Sequence, residues 1–203
     1  MKNNNLLFFA LLFFFSSTLF SCDKNQTKFY ADDQANGLAI FSNTENNLMT
    51  CYIQNEPWRT KDRIYGGILG RTTYELLINR QITSGPSDKL IFTWYVNPVN
   101  TTGNGDIALV LAIPKVFGYK ELSALKGQRL VLDTLNGYFT FSAQSNLIKG
   151  TGNIYFHEMQ VDSIGPNNFT GQMSGLMDAK FSSSLILTNG RFDHNIAAEQ
   201  IRF

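Results

Sequence analysis

Between Ile107 and Ile113 the chain alternates without a break: Ile107, Leu109, Leu111 and Ile113 fall on one side, Ala108, Val110 and Ala112 on the other. A period of two belongs to a β-strand, and the small second face leaves room for another element to approach closely. The same texture recurs from Asn47 onward, in Leu48–Gln54, Trp58–Thr60, Ile64–Leu69, Thr72–Asn79, Asn153–Val161 and Phe169–Met177. Leu90–Val96 is apolar or aromatic on both faces, as in a strand covered on both sides. Thr72–Asn79 also fits a helical turn through Tyr74, Leu77 and Ile78. Arg129–Leu132 and Tyr138–Ser142 read as a hairpin around Thr134–Gly137. Asn189-Gly190 reads either as a hairpin turn or as a bulge in one continuing strand.

Pro57, Gly85-Pro86, the polar run Asn97–Gly105, Pro114 and Gly165-Pro166 punctuate these runs. Tyr119–Lys126 is the one helix candidate, with Gly127 placed to cap it. About ten short strands separated by turns point to an all-β domain with one short helix. The expected architecture is an antiparallel β-sandwich, with a closed lipocalin-like β-barrel as the alternative.

The N-terminus carries a different signal. Lys2 precedes an apolar run of 10 residues, Leu6–Phe15, and small residues lead to Leu19-Phe20-Ser21-Cys22. The run is too short to span a bilayer, which takes about 20 residues, and its layout is that of a secretory signal peptide, residues 1–21. The tetrapeptide resembles a bacterial lipoprotein signal. That resemblance implies acylation of Cys22, which becomes the mature N-terminus, and a membrane partner reached through the lipid. More than one acyl chain is needed for stable anchoring, and a triacylated cysteine supplies that. Residues 22–44 are rich in Asp, Asn, Gln and Ser and read as a flexible tether; Leu38–Phe41 is their one apolar patch. Residues 45–203 form a single β-rich domain.

Charge narrows the partners. Once residues 1–21 are removed, 16 basic residues stand against 16 acidic ones, with no run of like charge. Nucleic acid is therefore excluded as a partner. A glycan, a small molecule or another protein stays open, as does the oligomeric state. Cys51 is left alone in the mature chain, which excludes a disulfide framework, and its neighbours place it as a core thiol.

No catalytic constellation emerges. His157, on a face with Tyr155, Met159 and Val161, lacks ligand spacing for a metal. Asp193 and His194 lack a nucleophile elbow to complete a triad, and Ser182-Ser183-Ser184 lies in a polar loop. Glu158, Asp162, Asp178 and Asp193 are the carboxylates from which a glycan-acting enzyme would have to draw its pair. No cofactor motif is present: Gly103-Asn104-Gly105 opens no helix. Trp58, Trp94 and Tyr95 form the candidate ligand face, since aromatic rings stack on sugars and other flat ligands.

Two segments carry a family resemblance. They are Asn46–Trp58 and the stretch from Gly152 through Phe169-Thr170-Gly171 to Leu185-Ile186-Leu187-Thr188-Asn189-Gly190-Arg191-Phe192-Asp193. Together they resemble small, uncharacterised β-rich lipoproteins of Gram-negative bacteria, with Glu56 standing where those have a turn glycine. The resemblance implies a β domain attached to the cell envelope, on the outer membrane at its surface or periplasmic face. It brings no catalytic residue.

Overall fold

The computed structural model describes residues 27, 29–44, 46–61, 63–67, 70–143, 146–165, 168–197 and 200–202. The signal segment with its Leu19-Phe20-Ser21-Cys22 lies outside the described residues. Among those described are thirteen strands: β1 (Leu48–Ile53), β2 (Glu56–Thr60), β3 (Arg63–Gly67), β4 (Gly70–Tyr74), β5 (Leu76–Gln81), β6 (Asp88–Pro98), β7 (Gly105–Ile113), β8 (Arg129–Leu132), β9 (Gly137–Ala143), β10 (Asn146–Gly165), β11 (Asn168–Lys180), β12 (Ile186–Ala197) and β13 (Ile201–Arg202). One short helix, α1 (Tyr119–Leu122), runs into a single 3₁₀ turn at Ser123–Leu125.

Eight of the strands close on themselves. β1, β2, β6, β7, β9, β10, β11 and β12 each pair antiparallel with the next, and β12 returns to β1 through Leu48 opposite Asp193 and Ile53 opposite Leu187. The decisive strand is β6. It pairs with β7 along one edge and with β2 along the other, through Trp58 opposite Pro98 and Thr60 opposite Val96. The expected sandwich is thereby overturned, because closure leaves one continuous wall instead of two facing sheets. Alternation within each strand is the same in either architecture; only long-range register separates them. The additional strands attach to this wall. β5 pairs with β6 beyond the reach of β2, β13 lies parallel to β5, and β3–β4 form a separate two-stranded ribbon.

Large side chains fill the barrel. Leu90, Phe92, Trp94 and Val96 point inward from β6, as their alternation predicts, and each is at most 1 % exposed. Phe92, Trp94, Phe192 and Phe156 make a closed ring of contacts, with centroids 6.2, 5.5, 6.0 and 5.7 Å apart in turn. An eight-stranded barrel is just wide enough for side chains to fill. Room for these rings comes from Gly175, which faces Phe192 across β11 and β12; a Cβ there would sit 2.4 Å from the Phe192 ring. One end of the barrel is closed by Leu122 of α1, and Gly127 ends this segment with φ +72°, as its capping role requires. The opposite end is closed by aromatic contacts of Trp58 with Phe141 (5.7 Å) and Phe141 with Phe181 (5.8 Å).

Two expectations from local pattern change in the structure. Arg129–Leu132 and Tyr138–Ser142 are strands, but they do not pair as a hairpin: β9 pairs with β10 at Asn146–Gly150 and β8 pairs with β10 at Gly152–Tyr155, end to end on the same edge. At Asn189-Gly190 the bulge reading holds, since β12 runs on through it with Asn189 at φ +52°.

Residues 32–44, read as part of a tether, lie against the outer wall. Leu38 is fully buried, Ala39 N donates to Thr50 Oγ1 (3.2 Å), and Arg191 pairs with Asp32. The Asp193 carboxylate accepts from Ser42 Oγ (2.6 Å), Thr44 N (3.0 Å) and Asn46 N (3.3 Å). Such bonds fix a segment whose composition alone offers little to bury.

Candidate functional site

The three aromatic residues of the expected ligand face do not share a face. Trp94 is fully buried in the barrel, Trp58 is half-buried as an end plug, and Tyr95 packs with Leu77 on the outer side of β6. Cys22 lies outside the described residues. Cys51 is fully buried, and burial pushes its thiol well above the ordinary range, which suits packing and not nucleophilic attack.

The carboxylate and histidine candidates are likewise dispersed. Asp193 and His194 are neighbours on β12 and therefore face opposite ways: Asp193 holds the N-terminal segment outside while His194 is buried inside. A triad through both is geometrically closed off. Asp178 and Asp162 are exposed, and Glu158 pairs with Lys126 at 2.6 Å. A register shift between Phe156 and Glu158 leaves His157 exposed beside Phe41 and Tyr155, while Met159 and Val161 turn inward. His157 therefore does not share the face of Met159 and Val161. Among the described residues no group of three His, Cys, Asp or Glu side chains is placed to hold a metal, and no helix is long and apolar enough to cross a membrane.

His194 is the most unusual group in the interior. It is fully buried, and neither ring nitrogen has a hydrogen-bond partner among the described residues. Burial pushes its pKa down from 6.5 to about 3, so the imidazole is neutral at physiological pH.

A different region has the form of a binding site. Where β9 ends and β8 takes its place on β10, the wall beside β7 divides. Past the last β7–β9 pair, Leu111 opposite Gly137, one backbone bond crosses the gap, from Ala112 N to Asn136 O (3.1 Å). The opening is a cleft of about 490 Å³ between the end of β7 and β8. Core residues Leu90, Leu111, Ile113, Phe117 and Leu132 reach into it, and Leu130, Val131 and Leu125 extend its apolar lining. Arg129 and Asn136 are its polar groups. Its volume and its mixture of apolar wall with few polar groups match those of small-molecule sites. Val131 is 65 % exposed, so the apolar surface here meets solvent directly.

One lip of the cleft is fastened by an ion-pair cluster. Asp88, 1 % exposed, accepts from Arg80 Nε (3.0 Å) and Nη2 (2.7 Å), Lys115 Nζ (2.5 Å) and Thr83 N (3.1 Å). Arg80 also donates to the carbonyls of Lys115 and of Phe117 (2.6 Å), which pins Pro114–Phe117 against the barrel. Lys115 and Arg80, with help from the Thr83 amide, hold the Asp88 carboxyl well below the usual carboxylate range. Neither the cleft nor this clamp was read from sequence. The one available signal at the cleft was Val131, an apolar residue of β8 that is 65 % exposed.

No protein-family model matches the chain, and neither a curated protein nor a solved structure matches it.

Proposed function

We propose that this chain is a lipid-anchored binding protein of the bacterial cell envelope, which holds a small apolar molecule in the cleft between β7 and β8. The cleft carries this reading: it is an opening of about 490 Å³ lined by leucine, isoleucine, valine and phenylalanine side chains. The barrel supports the lipocalin-like alternative in its closure, but its interior is occupied by the Phe92–Trp94–Phe192–Phe156 ring. The ligand is therefore assigned to the side of the barrel and not to its axis. The resemblance of Leu19-Phe20-Ser21-Cys22 to a lipoprotein signal supports anchoring through Cys22 at the outer membrane, on its surface or periplasmic face.

Each half of the proposal has its own test. Cys22→Ala is expected to move the chain from the membrane to the soluble fraction; retention in the membrane would refute the anchor. The mature chain is expected to enhance Nile red fluorescence, and Val131→Asp to abolish the enhancement while the unfolding midpoint holds. Enhancement that survives Val131→Asp would place the apolar site elsewhere.

A further inference from the structure

Resting on the cleft as the ligand site, we infer that its ligand is a single-chain fatty carboxylate, with Arg129 reading the head group and the apolar wall taking the chain. The charges around the cleft single out Arg129. Lys115 and Arg80 are committed to Asp88, and Lys126 to Glu158. Arg129 is exposed on the rim and has no ion-pair partner among the described residues. No acidic side chain lines the cleft. The nearest acid in sequence, Asp133, does not line the cleft, and its Oδ1 accepts from the amides of Leu135 (3.0 Å) and Asn136 (3.1 Å) in its own turn. The rim is therefore positive and the wall apolar, which is the complement of an anionic amphipath.

The head and chain follow from geometry. On β8, Arg129 and Val131 stand on the same side two residues apart, about 7 Å, while Leu132 turns inward to the core. A head group at Arg129 leaves its chain running along the open edge of β8, past Leu130 and Leu132, toward Leu111. The planar guanidinium fork matches a carboxylate with two parallel hydrogen bonds. A phosphate monoester would carry a second charge, for which the rim offers no second uncommitted cation among the described residues. A cleft of about 490 Å³ lies in the lower half of the range for small-molecule sites, which favours one chain over two.

The test uses the mature chain carrying Cys22→Ala, titrated calorimetrically at neutral pH with dodecanoate, dodecanol and dodecyl phosphate below their micelle concentrations. Dodecanoate is expected to bind about tenfold tighter than dodecanol, the scale of one charge-assisted contact. Arg129→Gln is expected to remove that preference while dodecanol affinity and the unfolding midpoint stay the same, with Arg129→Lys intermediate. Equal binding of acid and alcohol, an Arg129→Gln variant that keeps the preference, or tighter binding of dodecyl phosphate would each overturn the carboxylate assignment and leave the cleft standing. Binding of none of the three would overturn the cleft reading itself.

Discussion

The barrel interior and the side cleft are built from the same residue types, yet they do opposite work. Inside, Phe92, Trp94, Phe156 and Phe192 are at most 1 % exposed and satisfy one another by ring contacts. At the cleft, Val131 is 65 % exposed and Leu130 is only partly buried against the core, where no neighbouring strand covers them. The difference arises from strand pairing and not from composition. β10, 20 residues long, outlasts β9, and β8 takes over its edge without closing against β7. An eight-stranded barrel stuffed with aromatic rings gains stability and gives up its axis; on the proposed reading, the gap in the wall is where the ligand goes instead.

The comparison makes separable predictions. The largest effect belongs to the interior: Trp94→Ala should cost about 3–5 kcal/mol of stability by denaturant titration. Trp94→Phe, a milder change, should leave dodecanoate affinity unchanged. A loss of affinity in Trp94→Phe would mean that the ligand reaches the barrel axis.

Next comes His194. Its folded-state pKa, about 3, lies below its ordinary 6.5, so the unfolded chain binds the extra proton first as pH falls. The contribution is complete above pH 6.5 and is lost at about 1.4 kcal/mol per pH unit on acidification toward the folded value. His194→Leu should flatten the stability profile between pH 6.5 and the carboxylate range and leave ligand binding alone. An unchanged slope would show that another group sets it.

Asp88→Asn should act on the cleft instead. An amide in place of the carboxylate removes the negative charge and one of the two acceptor oxygens that hold Arg80 and Lys115, and so loosens the Arg80 contacts that fasten Pro114–Phe117. Dodecanoate affinity should fall by about tenfold, the scale of a lost charge-assisted contact. The wild-type lip should show the same weakness in acid, because a carboxylate with a depressed pKa stabilises the fold above its ordinary value of 3.8 and loses that contribution as pH drops below it. The smallest effect is reserved for Val116→Ser. This side chain is 88 % exposed and does not line the cleft, so stability should stay within about 0.5 kcal/mol and affinity should not move.

Much of the fold can be read along the chain because it is local. The inward set Leu90, Phe92, Trp94 and Val96, the helix at Tyr119 and the cap at Gly127 each follow from spacing within a few residues. What stayed hidden depends on partners far away. Asp193 meets Ser42 across 151 residues, so a segment composed like a tether is held to the wall. Closure rests on a short register between β2 and β6, which alternation cannot specify. The expectation that Trp58, Trp94 and Tyr95 form one ligand face fails for a related reason. Trp94 and Tyr95 are adjacent on a strand and point to opposite sides, and Trp58 stops one end of the barrel. The cleft was hidden because it is made by a pairing that does not occur: β8 follows β9 along the edge of β10 but does not pair with β7 past Leu111.

The central claim, that ligand enters the wall and not the axis, is tested most directly by amide chemical shifts of the mature chain titrated with dodecanoate. The account predicts shifts concentrated at Ala112, Arg129, Leu130 and Val131, with Phe139, Phe156 and Phe192 undisturbed. Shifts centred on Phe156 and Phe192, with β8 silent, would contradict it.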